Sequence, residues 1–293
     1  MKLDVKPGKY VLAVSGGVDS MVLLDMLSKL PDIELVIAHF NHGIRDDSDE
    51  DEKLVVATAQ RHGLPFAVGL GGLGSGASEN EARQARYAFL EEVQEDFGAG
   101  GIITAHHQDD LIETAFLNIL RGTNPRGLIA ITDNPKITRP LLKTSKKSIL
   151  KYAQEHSLRW REDETNQEDV YLRNYLRQHV LPKLKPAAKQ QLLKNIDKIV
   201  KNHRDKSKII ATISQSMVKD QKIDRQAFAA LPVKIGNELI VEMLRELGFR
   251  DFNRTTIGRI NTLIRTAQTG TQHDVSQTIV LVTDKASAWF RAR

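Results

Sequence analysis

Cysteine is missing altogether from this chain of 293 residues. That excludes disulfides, thiolate zinc sites, cysteine-ligated iron–sulfur clusters and thiol nucleophiles. Long apolar runs are missing too: no stretch approaches the ~18–20 apolar residues of a membrane helix. The opening MKLDVKPGKY does not read as a signal peptide. Its first apolar run, Tyr10 to Val14, is too short for an h-region and leads into glycines. The expectation is a soluble, cytoplasmic protein with no membrane partner. What is present is ordinary for a globular chain, 41% hydrophobic and 27% charged residues, enough to bury a core. The length suggests two domains. Net charge is unevenly divided. Residues 1–180 carry 21 Lys+Arg against 27 Asp+Glu, a net of −6, and residues 181–293 carry 21 against 10, a net of +11. A basic C-terminal third suggests an appendage for a polyanion, most commonly nucleic acid, although a solvated lysine-rich helix surface has the same composition.

Short β-branched or apolar runs at Tyr10–Val14, Leu35–Phe40, Pro65–Leu70 and Gly101–Ala105 read as strands. Between them, Ser20–Leu30, Glu50–His62, Asn80–Phe97 and Gln108–Arg121 read as helices, the second stopped by Gly63 and the last by Gly122. Alternating strands and helices predict a doubly wound α/β fold with a mostly parallel sheet. Ligands of such sheets bind beyond the carboxyl ends of the strands. From Ser145 onward the strand signals stop. Helices are expected at Ser145–Ser157, up to Val180, at Lys189–Met217, near Gly236–Leu247 and near Thr255–Ala267, with a short hairpin over Val275–Phe290. Leu181-Pro182 with Pro186 marks the boundary, giving a domain over 1–185 and a smaller, basic, mainly helical one over 186–293.

Ser15-Gly16-Gly17-Val18-Asp19-Ser20 lies between the first strand and the first helix. Two glycines allow a tight turn that presents N–H groups, and a helix N-terminus adds positive potential. The lysine of GxxxxGK[ST] is absent, and so is GxGxxG spacing. A phosphate here would be held by neutral donors, with Asp19 holding a metal ion or a hydroxyl. A plain strand–turn–helix is the bland alternative. His39 and Asn41, in Ala38–Arg45, stand at the end of the second strand, in ligand territory, although a surface loop fits them as well. Arg83 and Arg86 share a helix face suited to polyphosphate or RNA, or to surface salt bridges. After the fourth strand come His106, His107, Asp109, Asp110 and Glu113. If the helix begins early, His106 with Asp110 and Asp109 with Glu113 form four-apart pairs. These carboxylates suit Mg²⁺ or a proton from an attacking amine. Acids complementing a helix dipole, or a zinc site lacking the HExxH order, remain alternatives. Arg173 and Arg177 share a face and, with Arg121, Arg126 and Arg139, suit an anion site.

SGGVDS resembles the loop of the N-type ATP pyrophosphatases, or PP-loop superfamily, with its adenine nucleotide alpha hydrolase-like fold. The further strings HFNHGIR, EARQARY, HHQDDLIETAFLNILRGT with Gly127-Leu128, RPLL, and WxxDxTN…RNYLR run in order over residues 11–182. Together they resemble the tRNA(Ile)-lysidine synthetase family. That resemblance implies ligation of free L-lysine to C2 of the wobble cytidine in a CAU-anticodon tRNA(Ile). The route is an adenylated cytidine, with AMP and pyrophosphate released. It implies ATP held by Ser15, Gly16, Gly17, Val18, Asp19, Ser20, His39 and Asn41. It implies catalytic roles for Asp19, Arg83, Arg86, His106, Asp109, Asp110, Glu113, Arg173 and Arg177, with Mg²⁺ on Asp19, Asp109 or Asp110. A homodimer is also implied. Longer members carry a further C-terminal domain that is not expected here. Sulfur-adding relatives depend on cysteines, so this chain is not expected to do their chemistry. A different ATP-dependent ligase of the same fold, and an RNA-binding protein without catalysis, are the competing readings.

Overall fold

The structure is a computed structural model and describes residues 1–41, 48–72, 79–122, 132, 136–161, 172–249 and 252–293. It forms two compact units, Met1–Ile199 and Val200–Arg293.

The first unit is built on a parallel sheet. Strands β1 (Gly8–Ala13), β2 (Ile33–Asn41), β3 (Phe66–Leu70), β4 (Gly101–Ile103) and β5 (Ile137–Thr138) lie in the order β3-β2-β1-β4-β5. Every neighbouring pair runs parallel, with Val11 opposite both Val36 and Ile102. Helices α1 (Val18–Leu27), α2 (Ser48–Arg61), α3 (Glu79–Asp96) and α4 (Gln108–Leu120) follow the first four strands. Alternate side chains of one strand face opposite layers. Leu12 enters a core with Leu23, Leu24 and Leu27 of α1 and with Ile149 and Ala153 of α5 (Lys146–Glu155). Val11 and Val36 enter the other, with Leu90 and Val93 of α3. The sheet is therefore covered on both faces, the doubly wound arrangement that the alternation predicts. Strand β5 lies in a stretch where no element is expected from the sequence, because two residues are too few for a periodic signal.

The remaining helices of this unit start with α6 (Leu172–Tyr175), which passes into a π turn at Leu176–Val180 and a 3₁₀ turn at Leu181–Lys183. Pro186 then opens α7 (Pro186–Met217). The two units divide within α7, between Ile199 and Val200.

The second unit contains more strand than its sequence suggests. Beside α8 (Arg225–Ala230), α9 (Val233–Glu246) and α10 (Arg254–Thr266) lies an antiparallel sheet of β6 (Val218–Lys219), β7 (Lys222–Asp224), β8 (Thr271–Asp274), β9 (Ile279–Thr283) and β10 (Ser287–Ala292). Its order is β6-β7-β10-β9-β8. The expected hairpin is β9–β10, pairing Val282 with Trp289. Phe228, Leu239, Ile260 and Leu281 form its core.

Candidate active site

The loop after β1 turns through Gly16, whose φ of +87° favours glycine. A Cβ on Gly16 would also stand 3.4 Å from that of Asp51. Ser20 Oγ donates to the Gly17 carbonyl at 2.9 Å and accepts from the Ser15 amide at 3.2 Å. The Gly17 amide donates to Ser15 Oγ at 3.4 Å. Gly17 caps α1 without a side-chain hydrogen bond. The first amides of α1, from Val18 onward, therefore keep free hydrogen-bonding capacity at the positive end of a helix dipole.

His39 and Asn41 end β2, next to β1, and both are buried. His39 Nδ1 lies 2.8 Å from the Val14 carbonyl. A carbonyl only accepts, so Nδ1 carries the proton and Nε2 is left as a bare acceptor. Nε2 is buried and has no hydrogen-bond partner. The Asn41 amide donates to Asp49 at 3.3 Å and to Glu52 at 3.4 Å.

The α4 terminus faces the same loop. His107 caps the helix: its Nδ1 accepts from the Asp109 amide at 3.1 Å, and its own amide donates to Asp110 Oδ2 at 2.8 Å. That leaves Nε2 as the donor, 3.7 Å from Asp19 Oδ1. Arg177 binds the other Asp110 oxygen at 3.0 Å and both oxygens of Glu113, at 2.8 and 3.0 Å. Arg173 approaches Glu113 at 3.8 Å. Glu113 is only 1% exposed. Burial, reinforced by Asp110 and Asp109, raises its pKa to about 7 against the pull of Arg177. Asp109 pairs with Lys189 at 2.5 Å. The helix begins at Gln108, so Asp109 and Glu113 stand four apart inside it, whereas the expected pairing of His106 with Asp110 does not form. His106 lies before the helix and bonds Thr104 Oγ1 at 2.8 Å instead.

A second charge cluster surrounds His106. Burial first, then Arg139, Arg86 and Arg83, lower its pKa to about 3. Arg83 and Arg86 lie 4.9 and 5.6 Å from the Tyr87 ring centroid. Burial lowers the pKa of both Arg86 and Arg139. The Arg139 Nε is buried without a hydrogen-bond partner. Among the described residues no carboxylate pairs with these three guanidiniums.

Magnesium was expected on Asp19, Asp109 or Asp110. The donor set does not fit it: each carboxylate already faces a cation. Lys146 holds both oxygens of Asp19 at 2.7 and 2.8 Å, Lys189 holds Asp109, and Arg177 holds Asp110. Among the described residues no three potential ligands cluster.

The expected site residues therefore fall into two described groups. Asp19, Asp110, Glu113, Arg173 and Arg177 are joined through His107, while Arg83, Arg86 and His106 surround Tyr87 and Arg139. Lys146, Lys189 and Tyr87 were not picked out from the sequence. Lys146 lies 127 residues from its partner, and no local spacing reveals such a pair. His42–Arg45, the Gly127-Leu128 pair, Arg126 and Asp163–Asn166 lie outside the described residues.

A doubly wound parallel sheet with a glycine loop leading into a helix N-terminus defines the class, an α/β protein whose first strand–helix turn has the build of an anion-accepting loop. The chain belongs to the PP-loop domain family, whose model matches residues 2–184. It is 37% identical over 224 residues to the tRNA(Ile)-lysidine synthase of Lactobacillus johnsonii, covering 73% of this chain and 50% of that protein. The enzyme of that name from Exiguobacterium sibiricum is 31% identical over 87% of this chain and 62% of its own length. That from Thermus thermophilus is 41% identical over 62% and 37%. The chain thus spans about half the length of the curated relatives it matches. Among solved structures, the U34-tRNA thiolase NcsA from Methanococcus maripaludis superposes with a TM-score of 0.53, over 67% of this chain and 74% of that one. At 16% identity this likeness concerns the fold alone. The motif resemblance to tRNA(Ile)-lysidine synthases is thus matched by sequence comparison. No helix among the described residues is long and apolar enough to cross a membrane.

Proposed function

We propose that this chain binds ATP at the glycine loop and ligates lysine to C2 of the wobble cytidine of a CAU-anticodon tRNA(Ile). The observation that carries this reading is the side-chain series Asp19–His107–Asp110–Arg177–Glu113. This series supports the reading by linking a buried carboxylate of raised pKa to the glycine loop through side chains.

In this reading the amides and hydroxyls of Ser15, Gly16, Gly17, Val18 and Ser20 hold the phosphates. His39 Nε2 accepts from the nucleoside, which has amine and hydroxyl donors, and Asn41 lies beside it. Cytosine O2 attacks the α-phosphate, forming an O–P bond as pyrophosphate leaves. Arg83 and Arg86, with Arg139, whose charges no carboxylate among the described residues balances, neutralise phosphate charge. The lysine ε-amine then attacks C2, and AMP leaves with the former O2. The amine nitrogen must lose a proton. His106 is a poor acceptor with its pKa near 3, whereas Glu113 is poised near 7. Arg173 and Arg177, the latter shared with Asp110, orient Glu113. The basic C-terminal portion, drawn from the Pro186 boundary, binds tRNA. A homodimer is also part of this reading.

Pyrophosphate release tests it. Release from ATP should require a CAU-anticodon tRNA(Ile). Release triggered only by some other acceptor would overturn the reading in favour of another ligase of the same fold.

A further inference from the structure

The glycine loop lacks the lysine that P-loops carry in line, yet the fold delivers one. Ser145 Oγ caps α5 by accepting from the Ser148 amide. The next residue, Lys146, sends its ammonium to both Asp19 oxygens at 2.7 and 2.8 Å. Asp19 stands in the first turn of α1, two residues beyond Gly17.

Two features separate this pair from an ordinary tie between α1 and α5. A lysine in the first turn of a helix opposes the dipole, at a cost of about 0.3–1 kcal/mol. The first turn of α5 contains no acid to compensate. In addition, the Lys146 side chain is 36% exposed, so an anion at the loop can reach it without unfolding anything.

We propose that Lys146 is the phosphate-binding lysine of this nucleotide site, supplied by α5 and held at the glycine loop by Asp19. The inference rests on the nucleotide reading above. It accounts for the poor fit of Asp19 to a metal ion: the cation at this carboxylate is the protein's own. One ammonium has three donors, so two bonds to Asp19 leave one for a phosphate oxygen. The geometry makes nucleotide affinity partly independent of magnesium.

The test is ATP binding to the full chain, by calorimetry in excess EDTA. Wild-type protein should bind, and Lys146→Met should bind about 10- to 100-fold more weakly, the value of a lost charge-assisted hydrogen bond. Lys146→Arg should recover most of the affinity. A purely structural tie would lower the melting temperature of Lys146→Met and leave its ATP affinity unchanged, which would overturn the inference. Absence of binding in EDTA that excess magnesium restores would overturn the inference alone, and absence of ATP binding by the wild type under both conditions would overturn the nucleotide reading with it. Wild-type protein offers an independent measurement: ATP should protect Lys146 from acetylation, read by mass spectrometry against exposed Lys201. Unchanged or increased acetylation of Lys146 would contradict the proposal.

Discussion

Glu113 is the residue whose environment most constrains the chemistry. Its raised pKa, near 7, makes it half-ionised at neutral pH. Between the ordinary glutamate value of 4.5 and about 7 the folded state holds a proton that the unfolded state has lost. Stability gained from this group is therefore complete at low pH and is lost as pH rises through 7. Glu113→Gln should flatten that part of a urea-midpoint profile against pH, and an unchanged profile would show that another group titrates. The same substitution should remove the acidic limb near pH 7 from the rate of lysine transfer. The arginines make a different prediction. A part-buried guanidinium with no carboxylate partner among the described residues costs stability, so Arg139→Met should hold or raise the melting temperature while weakening ATP binding. A lower melting temperature with normal ATP binding would show that Arg139 is structural. The motif residues themselves were legible because glycine, carboxylate and arginine have few uses at a strand's carboxyl end. Lys146 and Lys189 were not, because their partners are distant in sequence and spacing rules reach only one or two helical turns.

At the scale of elements, four strands and the helices between them were legible from apolar runs and glycine stops. Gly63 and Gly122 end α2 and α4 with φ of +64° and +65°. The failures have physical causes. Thr271–Asp274 is a polar strand held by an edge pairing with β9, so alternation is absent. Val218–Lys219 and Lys222–Asp224 pair across a tight turn in which Asp220 and Gln221 both take positive φ. Neither residue is the glycine that normally announces such a turn. Packing supplies a sharper test. A Cβ on Gly69 of β3 would lie 2.6 Å from the ring of Phe89 on α3. Gly69→Ala should therefore destabilise the first unit by about 1–3 kcal/mol in denaturant melts. A loss below measurement error would show that Phe89 does not cover β3.

For the whole molecule, the charge division is the property that needs a partner. The −6 portion contains the glycine loop, and the +11 portion contains the whole of α7. Lys194, Lys198, Lys201 and Lys208 are exposed on that helix at spacings of four, three and seven, one face of an α-helix. Replacing Lys198 and Lys201 by alanine should weaken tRNA binding, shallow its salt dependence by about one or two phosphate contacts and leave ATP affinity unchanged. Identical binding and slope would return the basic face to a solubility role. Phosphate contacts carry no base identity, so on the proposed reading the basic face supplies affinity and not the choice of the wobble cytidine.

The most direct measurement combines the protein with ATP and labelled lysine, and with a CAU-anticodon tRNA(Ile) or the same tRNA with its wobble cytidine changed. The expected result is label in the first tRNA only, dependent on ATP, with one pyrophosphate released per lysine attached. Pyrophosphate release without lysine in the tRNA, or equal labelling of both tRNAs, would contradict the assignment of this site to lysine ligation.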